Sequence, residues 1–449
     1  MTKRFNLLVM KKTLKRIALF LLLTPLALLL LGVICYVAFR LAAVGGESTP
    51  HQAYLQAHKQ EVDLQAANPF PIFDSAFYQN QIFMLGEAHG SAMPQDLDFA
   101  LVKHLHQKVN LRYYLAEVDY AQAHYLNEYL RTGNEEFLSY VFQFWARQNA
   151  QWGNQSFYDK IKKLRAYNQT LPQHQRISML GVDMIQDKDA LQRYLREVLP
   201  QMPTSDGNAA LQHLNKIVMA DSLVRDSLYL AARKALAYLA QDTTEKGLAQ
   251  GAYFNLQHTL RNVGYLQQKT RRDSVMYLNL NTLVQARNLQ QEKMYGMWGL
   301  FHTIPVEVER GIPFAYLLQS QNSAFKGKAV SIGVYTLDSE SMMPAAALPA
   351  FLGKGERYVN STLANNDGPM VFIDGIKDLR AVTRPNSITL FKTGAPGSPY
   401  RSSSRLASIQ VLFPNQSIAF AGENPTVAAV FPYICLIRNS KALTPLALQ

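Results

Sequence analysis

The longest apolar segment of the chain lies close to its N-terminus. Residues 17–39 form a run of 23 uncharged residues that only Thr24, Pro25 and Gly32 interrupt. About 20 apolar residues suffice for a helix to cross the hydrocarbon core of a bilayer, so the run predicts one transmembrane helix. The alternative is a cleaved signal peptide, whose apolar region is normally about 7–15 residues long. The longer run, and the poor cleavage site at residues 41–43, favour an uncleaved anchor.

After residue 80, short apolar runs alternate with longer segments of helical periodicity. The apolar runs predict strands at Gln81–Leu85, Arg112–Ala116, Ile177–Val182, Lys293–Leu300 and Ala329–Val334. The periodic segments predict helices at Pro94–Gln107, Ala121–Leu130 and Phe157–Asn168. Strands separated by helices indicate an α/β fold with a mainly parallel sheet and flanking helices.

Three stretches depart from this alternation. Residues 46–78, with their Gly, Pro and Gln content, predict a tether between the anchor (1–45) and a domain at 79–449. Residues 185–291 show helical periodicity almost throughout and are too long for one crossover helix, which predicts an inserted helical bundle. The last 100 residues mix short strands with loops rich in Gly, Pro and Ser.

A net charge of +12 would suggest a nucleic-acid-binding protein, but the position of the basic residues along the chain changes this interpretation. Residues 1–50 carry seven basic residues and one acidic residue, and six of the basic ones precede the apolar run. The positive-inside rule then places the N-terminus in the cytoplasm and the domain on the periplasmic or extracellular side. The remaining chain has 38 basic and 32 acidic residues, a near balance that argues against a nucleic-acid partner.

Four of the predicted strands run into polar or ionisable residues. In open α/β sheets, ligands bind outside the carboxyl ends of the strands. Buried ionisable groups there cost free energy unless they partner one another, so four such ends predict one convergent site. Taken alone, an Asp could cap the next helix and a His could be a satisfied core residue. The residues concerned are Glu87 and His89, flanked by glycines, then Glu117, Asp183 and His302.

A further motif lies in the helical region, at residues 271–279. On a helix, Arg272, Met276 and Asn279 share one face because they stand at i, i+4 and i+7. An Arg and an Asn that face a polar site could hold a carboxylate or an ester oxygen. The alternative is a solvated helix with a local Arg-Asp pair.

In this order the motifs resemble those of the erythromycin esterase family. They are Gly-Glu-x-His-Gly, a strand that ends in Glu, Gly-x-Asp-Met, Arg-Asp-x-x-Met-x-x-Asn and a strand that ends in His, over roughly residues 79–335. The wider superfamily includes Tiki-type proteases, TraB-like proteins and haem-binding iron-uptake lipoproteins. Glu87 and His89 are separated by Ala88 alone, whereas the esterases usually space this pair by two residues. That spacing is closer to the haem-binding and Tiki branches.

The residue types favour water activation. No Gly-x-Ser-x-Gly elbow is present and no cysteine lies near the motifs, which argues against a serine or thiol nucleophile. His89 could take a proton from water that attacks an ester or lactone carbonyl, with Glu87 or Glu117 holding its tautomer. His302 could share that role or donate to the developing oxyanion, whose charge Arg272 would stabilise.

This chemistry needs no cofactor. Together with the apolar anchor and the resemblance to erythromycin esterases, it predicts a membrane-anchored hydrolase that cleaves an ester, lactone or related carbonyl bond, with a small-molecule ester or lactone as its substrate. Two alternatives remain open. The same four side chains (Glu87, His89, Glu117 and His302) could instead hold a divalent metal, as the resemblance implies for Tiki-like hydrolases. A non-enzymatic protein that binds haem or another ligand, through His or Tyr, is the second alternative.

Overall fold

A computed structural model of the chain describes residues 2–202, 209–241, 250–309, 311–348, 353, 355–412 and 418–448. Within these ranges the strands are β1 (Lys59–Glu61), β2 (Ile82–Glu87), β3 (Tyr113–Ala116), β4 (Ser178–Gly181), β5 (Met294–Gly299), β6 (Ala329–Leu337), β7 (Ser341–Pro344), β8 (Tyr358–Ser361), β9 (Val371–Ile373), β10 (Ile388–Lys392), β11 (Ile409–Val411) and β12 (Tyr433–Arg438).

Helices α1 and α2 come before β1 in the chain, and the other helices lie between the strands. They are α1 (Thr2–Val44), α2 (Thr49–Ala57), α3 (Ser75–Gln79), α4 (Met93–Val109), α5 (Tyr120–Thr132), α6 (Glu135–Arg147), α7 (Gln155–Gln169), α8 (Lys188–Val198), α9 (Ala209–Met219), α10 (Arg225–Gln241), α11 (Gln250–Gln267), α12 (Arg272–Ala286), α13 (Phe314–Leu318), α14 (Ile376–Ala381) and α15 (Val427–Val430). Among the short 3₁₀ turns, residues 300–303 form one directly after β5.

Eight of the strands form one central sheet in the order β1-β10-β12-β6-β2-β5-β3-β4. The strands from β12 to β4 are parallel, whereas β10 and β1 add an antiparallel edge. All six residues of β2 are buried, as expected for a strand with neighbours on both sides and helices over both faces. The predicted α/β class with a mainly parallel sheet is therefore confirmed.

Alternation along β2 divides the core between the two faces of the sheet. Phe83 and Leu85 point into a large cluster with α4–α7, while Ile82 and Met84 point into a second cluster with α12 and α13. Helices α8–α12 occupy the stretch in which a helical insertion is predicted. Helix α12 packs its buried face on the sheet, and this places its first residue, Arg272, at the carboxyl edge of the strands.

Residues 46–78 are part of the folded domain, so the predicted tether is wrong. Helix α2 packs against α14, and β1 pairs with β10 at the edge of the sheet. Phe70, Phe73 and Phe77 are buried in the main core, with Phe73 stacked on Phe77 at 3.8 Å between ring centroids. The prolines and glycines of this stretch suggested a linker, but the aromatic side chains between them anchor it to the core.

Helix α1 contains the apolar segment Phe20–Val44, which is long and apolar enough to cross a membrane. Its large side chains are mostly exposed, including Leu22 and Leu29. The segment is consistent with a single-pass span or a signal anchor.

Candidate active site

A histidine–carboxylate pair lies at the end of the central strand. Glu87 is the last residue of β2, and His89 Nδ1 lies 2.6 Å from Glu87 Oε1. The chain then turns at Gly90, whose φ of 114° and tight approach to the Met342 carbonyl leave no room for a side chain. A carboxylate only accepts hydrogen bonds, so Nδ1 carries the proton and Nε2 is left as the basic nitrogen.

Burial separates the two members of this pair. Glu87 is 3% exposed, whereas the His89 side chain is 26% exposed and packs edge-on against Trp152 at 4.1 Å between ring centroids. The Glu87 carboxylate is therefore shielded from water, while part of the His89 imidazole is accessible at the carboxyl ends of the strands.

A second cluster joins the ends of β3 and β4 through one arginine. Arg272 donates from Nη2 to Glu117 Oε1 at 2.8 Å and from Nε to both oxygens of Asp183 at 3.0 and 3.1 Å. The other oxygen of Glu117 accepts the amide N–H of Gly299 at 2.9 Å. Asp183 and Glu117 are both buried, so the guanidinium supplies the counter-charge that two buried carboxylates require.

The second histidine belongs to a pair of the same kind. His302 lies on the 3₁₀ turn after β5, and its Nδ1 is 2.7 Å from Asp273 Oδ1. Its Nε2 faces the cluster, 3.5 Å from Glu117 Oε1 and 3.4 Å from Arg272 Nη1. Asp273 also accepts the amide N–H of Phe314, which fixes the carboxylate against the histidine.

Gly299 brings the two histidines to one place. A Cβ at this position would lie 3.1 Å from His89 Nε2 and 3.5 Å from His302 Cδ2. The two imidazoles therefore lie on either side of the same point beside Gly299, and a side chain at this position would crowd His89 Nε2. Both rings face the same small volume.

That volume opens into a cavity of about 630 Å³, within the range of about 300–1,000 Å³ that is usual for small-molecule sites. Its ionisable lining residues are Glu87, His89, Glu117, Arg272 and His302. A largely apolar part of the lining, called the apolar wall below, comes from the C-terminal part of the chain and consists of Met343, Pro344, Ala347, Ala364, Val371, Ile409, Val411 and Ile418.

The charges around the site shift the pKa values of both histidines upward. Burial lowers the pKa of His89, but the charge and hydrogen bond of Glu87 outweigh it and leave the pKa above the ordinary 6.5. Burial likewise lowers the pKa of His302, and its hydrogen bond to Asp273 together with nearby Glu117 raises it by more. Burial raises the pKa of Glu117, yet His302 and Arg272 reverse this, so that carboxyl stays ionised.

Six of the seven predicted site residues converge, and Asn279 does not. Asn279 is buried in α12, where its amide donates to the Val182 carbonyl at 2.9 Å and exchanges hydrogen bonds with Asn262. It holds the end of β4 in place, and it is not among the described residues that line the cavity. Asp183 is no helix cap either, because Asp187 caps α8. Asp183 instead holds Arg272 and stays behind the cavity.

Several residues of the site escape prediction from the sequence. Asp273 is visible as part of an Arg-Asp pair, but its partner is His302 rather than the neighbouring arginine. Trp152 and Gln151 lie on the loop after α6, and no motif marks them. The apolar wall comes from short strands of the C-terminal part, whose sequence has no regular periodicity.

The donor set suits an internal cation better than a metal ion. Both oxygens of Glu117 already accept hydrogen bonds, from Arg272 and from Gly299. Among the residues that the structure describes, no group of three or more His, Cys, Asp or Glu side chains is arranged to hold a metal. Arg272 lies between Glu117 and Asp183 and supplies the positive charge of this carboxylate cluster.

Residues 109–296 match the erythromycin esterase family model. The segment contains Glu117, Asp183 and Arg272, and it ends before His302. No curated protein matches the chain in sequence. The match to the family model confirms, for the central part of the chain, the resemblance drawn from the motifs.

Solved structures share the fold at low sequence identity. A Bacillus cereus protein is similar with a TM-score of 0.60 and 15% identity over 89% of this chain and 100% of its own. A succinoglycan biosynthesis protein gives 0.61 and 13% over 90% of this chain and 100% of its own. A mutant of the erythromycin esterase EreC in its open conformation gives 0.55 and 14%, over 87% of this chain and 100% of its own.

Proposed function

Because the chain is erythromycin esterase-like in its family segment and in its fold, we propose that it is a membrane-anchored hydrolase of ester, lactone or related carbonyl bonds. The observation that carries the proposal is the Glu87–His89 pair, whose basic nitrogen lies beside Gly299 and the second histidine at the wall of the cavity. The substrate is a small molecule, and α1 holds the protein in the bilayer with its N-terminus in the cytoplasm.

His89 acts as the general base in this mechanism. Its Nε2 takes a proton from water while the water oxygen bonds to the carbonyl carbon, and the C=O electron pair moves to the carbonyl oxygen. Glu87 holds the required tautomer and stabilises the imidazolium that forms. When the tetrahedral intermediate collapses, the C–O bond to the leaving group breaks and His89 returns its proton to the departing alkoxide.

Arg272 and His302 stabilise the oxyanion. Both lie on the cavity wall, and the raised pKa of His302 keeps a proton available for donation to the negative oxygen. Glu117 and Asp273 hold these two donors in position. Such preorganised donors cost little reorganisation when charge develops, which is why they accelerate acyl transfer.

The proposal predicts turnover of carbonyl esters that a chelator does not inhibit. The full-length protein in detergent or nanodiscs is assayed against a panel of esters, lactones and short peptides, with and without EDTA, and its metal and haem contents are measured. Ester turnover unaffected by EDTA is the expected result. Turnover lost with EDTA would favour the metal hydrolase, and bound haem without turnover would favour the ligand-binding alternative.

The charge of Glu87 predicts a specific pH profile. A general base must be neutral, so kcat/KM should rise with pH through the pKa of His89, with the acid limb centred above 6.5. In Glu87→Gln, the loss of the carboxylate removes the main influence that raises the pKa of His89. The acid limb of the profile should therefore move to lower pH, and the maximum value of kcat/KM in the variant should be lower than in the wild type. The profiles of wild type and variant are compared with one ester. An unmoved limb would show that another group is the base.

A further inference from the structure

A two-stranded sheet separates the cavity from the anchor helix. Strands β9 and β11 pair antiparallel, with Val371 opposite Val411 and Phe372 opposite Gln410. Val371, Ile409 and Val411 line the cavity. Successive side chains of a strand point to opposite faces, so the neighbouring residue Phe372 points away from the cavity.

The opposite face of this sheet packs on the end of the apolar helix. The Phe372 ring makes edge contacts with Phe39 at 5.4 Å and Tyr36 at 6.3 Å between centroids. The Tyr36 hydroxyl donates to the Pro369 carbonyl at 3.2 Å. One layer of strand therefore lies between the apolar wall of the cavity and the helix segment at residues 36–39.

Backbone contacts fasten the end of the helix to the same part of the domain. The Gly375 amide donates to the Val44 carbonyl at 3.0 Å, and the Ser48 amide donates to Asp378 at 2.7 Å. Arg405 bridges Asp378 and the Gly46 carbonyl, each at 2.6 Å. The domain is thus fixed to the helix directly after its apolar segment, with no free linker between them.

These contacts set the height of the cavity above a membrane. A span of about 20 residues that begins near residue 17 reaches the outer interface close to Tyr36, at the depth where aromatic side chains are enriched. Phe372 and its strand then lie at headgroup level. Leu412, the residue after β11, is 43% exposed and alternation places it on the anchor side of this sheet.

We propose that the substrate is a membrane-borne acyl ester, whose apolar chain enters from the outer leaflet and lies along the wall of Val371, Ile409 and Val411 while its carbonyl reaches His89. This inference rests on the proposed hydrolase function and names its substrate class. The apolar wall is uncharged and the same cavity also carries the ionisable groups, as an amphiphile with one polar reacting end requires.

The first experiment varies the acyl chain on one alcohol. The full-length protein in nanodiscs is assayed with acetyl, butyryl, octanoyl and dodecanoyl esters. Burial of each methylene along the wall should raise kcat/KM roughly two- to fourfold until the wall is filled. Val411→Ser should reduce the ratio of dodecanoyl to acetyl turnover.

The second experiment loosens the helix from the domain without touching the cavity. Tyr36→Ala combined with Phe39→Ala should leave acetyl ester hydrolysis unchanged and reduce hydrolysis of the dodecanoyl ester embedded in the bilayer. The matched control, Leu28→Ala with Leu29→Ala, changes exposed residues of the same helix away from the contact and should alter neither rate.

The outcomes distinguish this inference from the function on which it rests. Acetyl ester turnover without any dependence on chain length would overturn the lipid-borne substrate and leave the hydrolase intact. Equal losses for short and long esters in the Tyr36 and Phe39 variant would also overturn it. Absence of turnover with every ester would overturn both. A preference for long chains that depends on the helix contact supports the proposal.

Discussion

Replacement of His89 by alanine should reduce kcat/KM for any ester substrate by about 10²–10⁴-fold, the usual contribution of a positioned general base. The loss should appear in kcat, because His89 removes a proton during the chemical step and makes little contact with the ground state. Steady-state kinetics of the full-length protein in nanodiscs, with the best ester of the panel, measure both constants.

The control for this prediction is a histidine away from the cavity. His124 is partly exposed on α5 and pairs with Glu197, so His124→Ala should keep full activity. The activity of Glu87→Gln should lie between those of His89→Ala and His124→Ala. Glutamine keeps the hydrogen bond to the imidazole but removes the charge that stabilises the protonated imidazole. Full activity in His89→Ala would eliminate it as the base and turn attention to His302.

The strands that carry the site are predictable because their signal is local. Strands β2–β5 are mostly apolar, and each ends in an ionisable residue or is followed by one within three positions, so the sequence indicates both the sheet and its functional edge. Parallel pairing then brings Glu87, Glu117 and Asp183 to that edge without further information.

What the sequence does not reveal depends on long-range contacts. Strand β12 lies between β6 and β10, and β9 pairs with β11, although each of these partners is remote along the chain. The same holds for Asp273, whose pairing with His302 follows from the placement of α12 against the turn after β5. Short strands without periodicity carry too little local signal for either the pairing or the cavity wall to be inferred.

Arg272 neutralises the buried carboxylates of the site. It is the direct cationic partner of both Glu117 and Asp183, which are buried at the ends of adjacent strands. Burial raises the pKa of Asp183, and the guanidinium opposes that rise. Loss of the arginine therefore leaves two buried carboxylates without their cation, and each must either stay charged at a cost in folding free energy or take up a proton.

Arg272→Met should lower the free energy of unfolding at neutral pH by about 2–4 kcal/mol, below the full range for buried pairs because the arginine side chain is about a third exposed. Arg271→Met changes the exposed neighbouring arginine and should cost little. Denaturant unfolding of both variants measures the difference.

The pH dependence of this loss is a second check on the pairing. Without the guanidinium the folded-state pKa of Asp183 rises further, so the folded variant binds more protons. The stability that Arg272→Met has lost relative to the wild type should therefore shrink as pH falls. Asp183→Asn in the Arg272→Met background should recover part of the loss. If it recovers none, the two side chains are not energetically coupled and the arginine acts elsewhere.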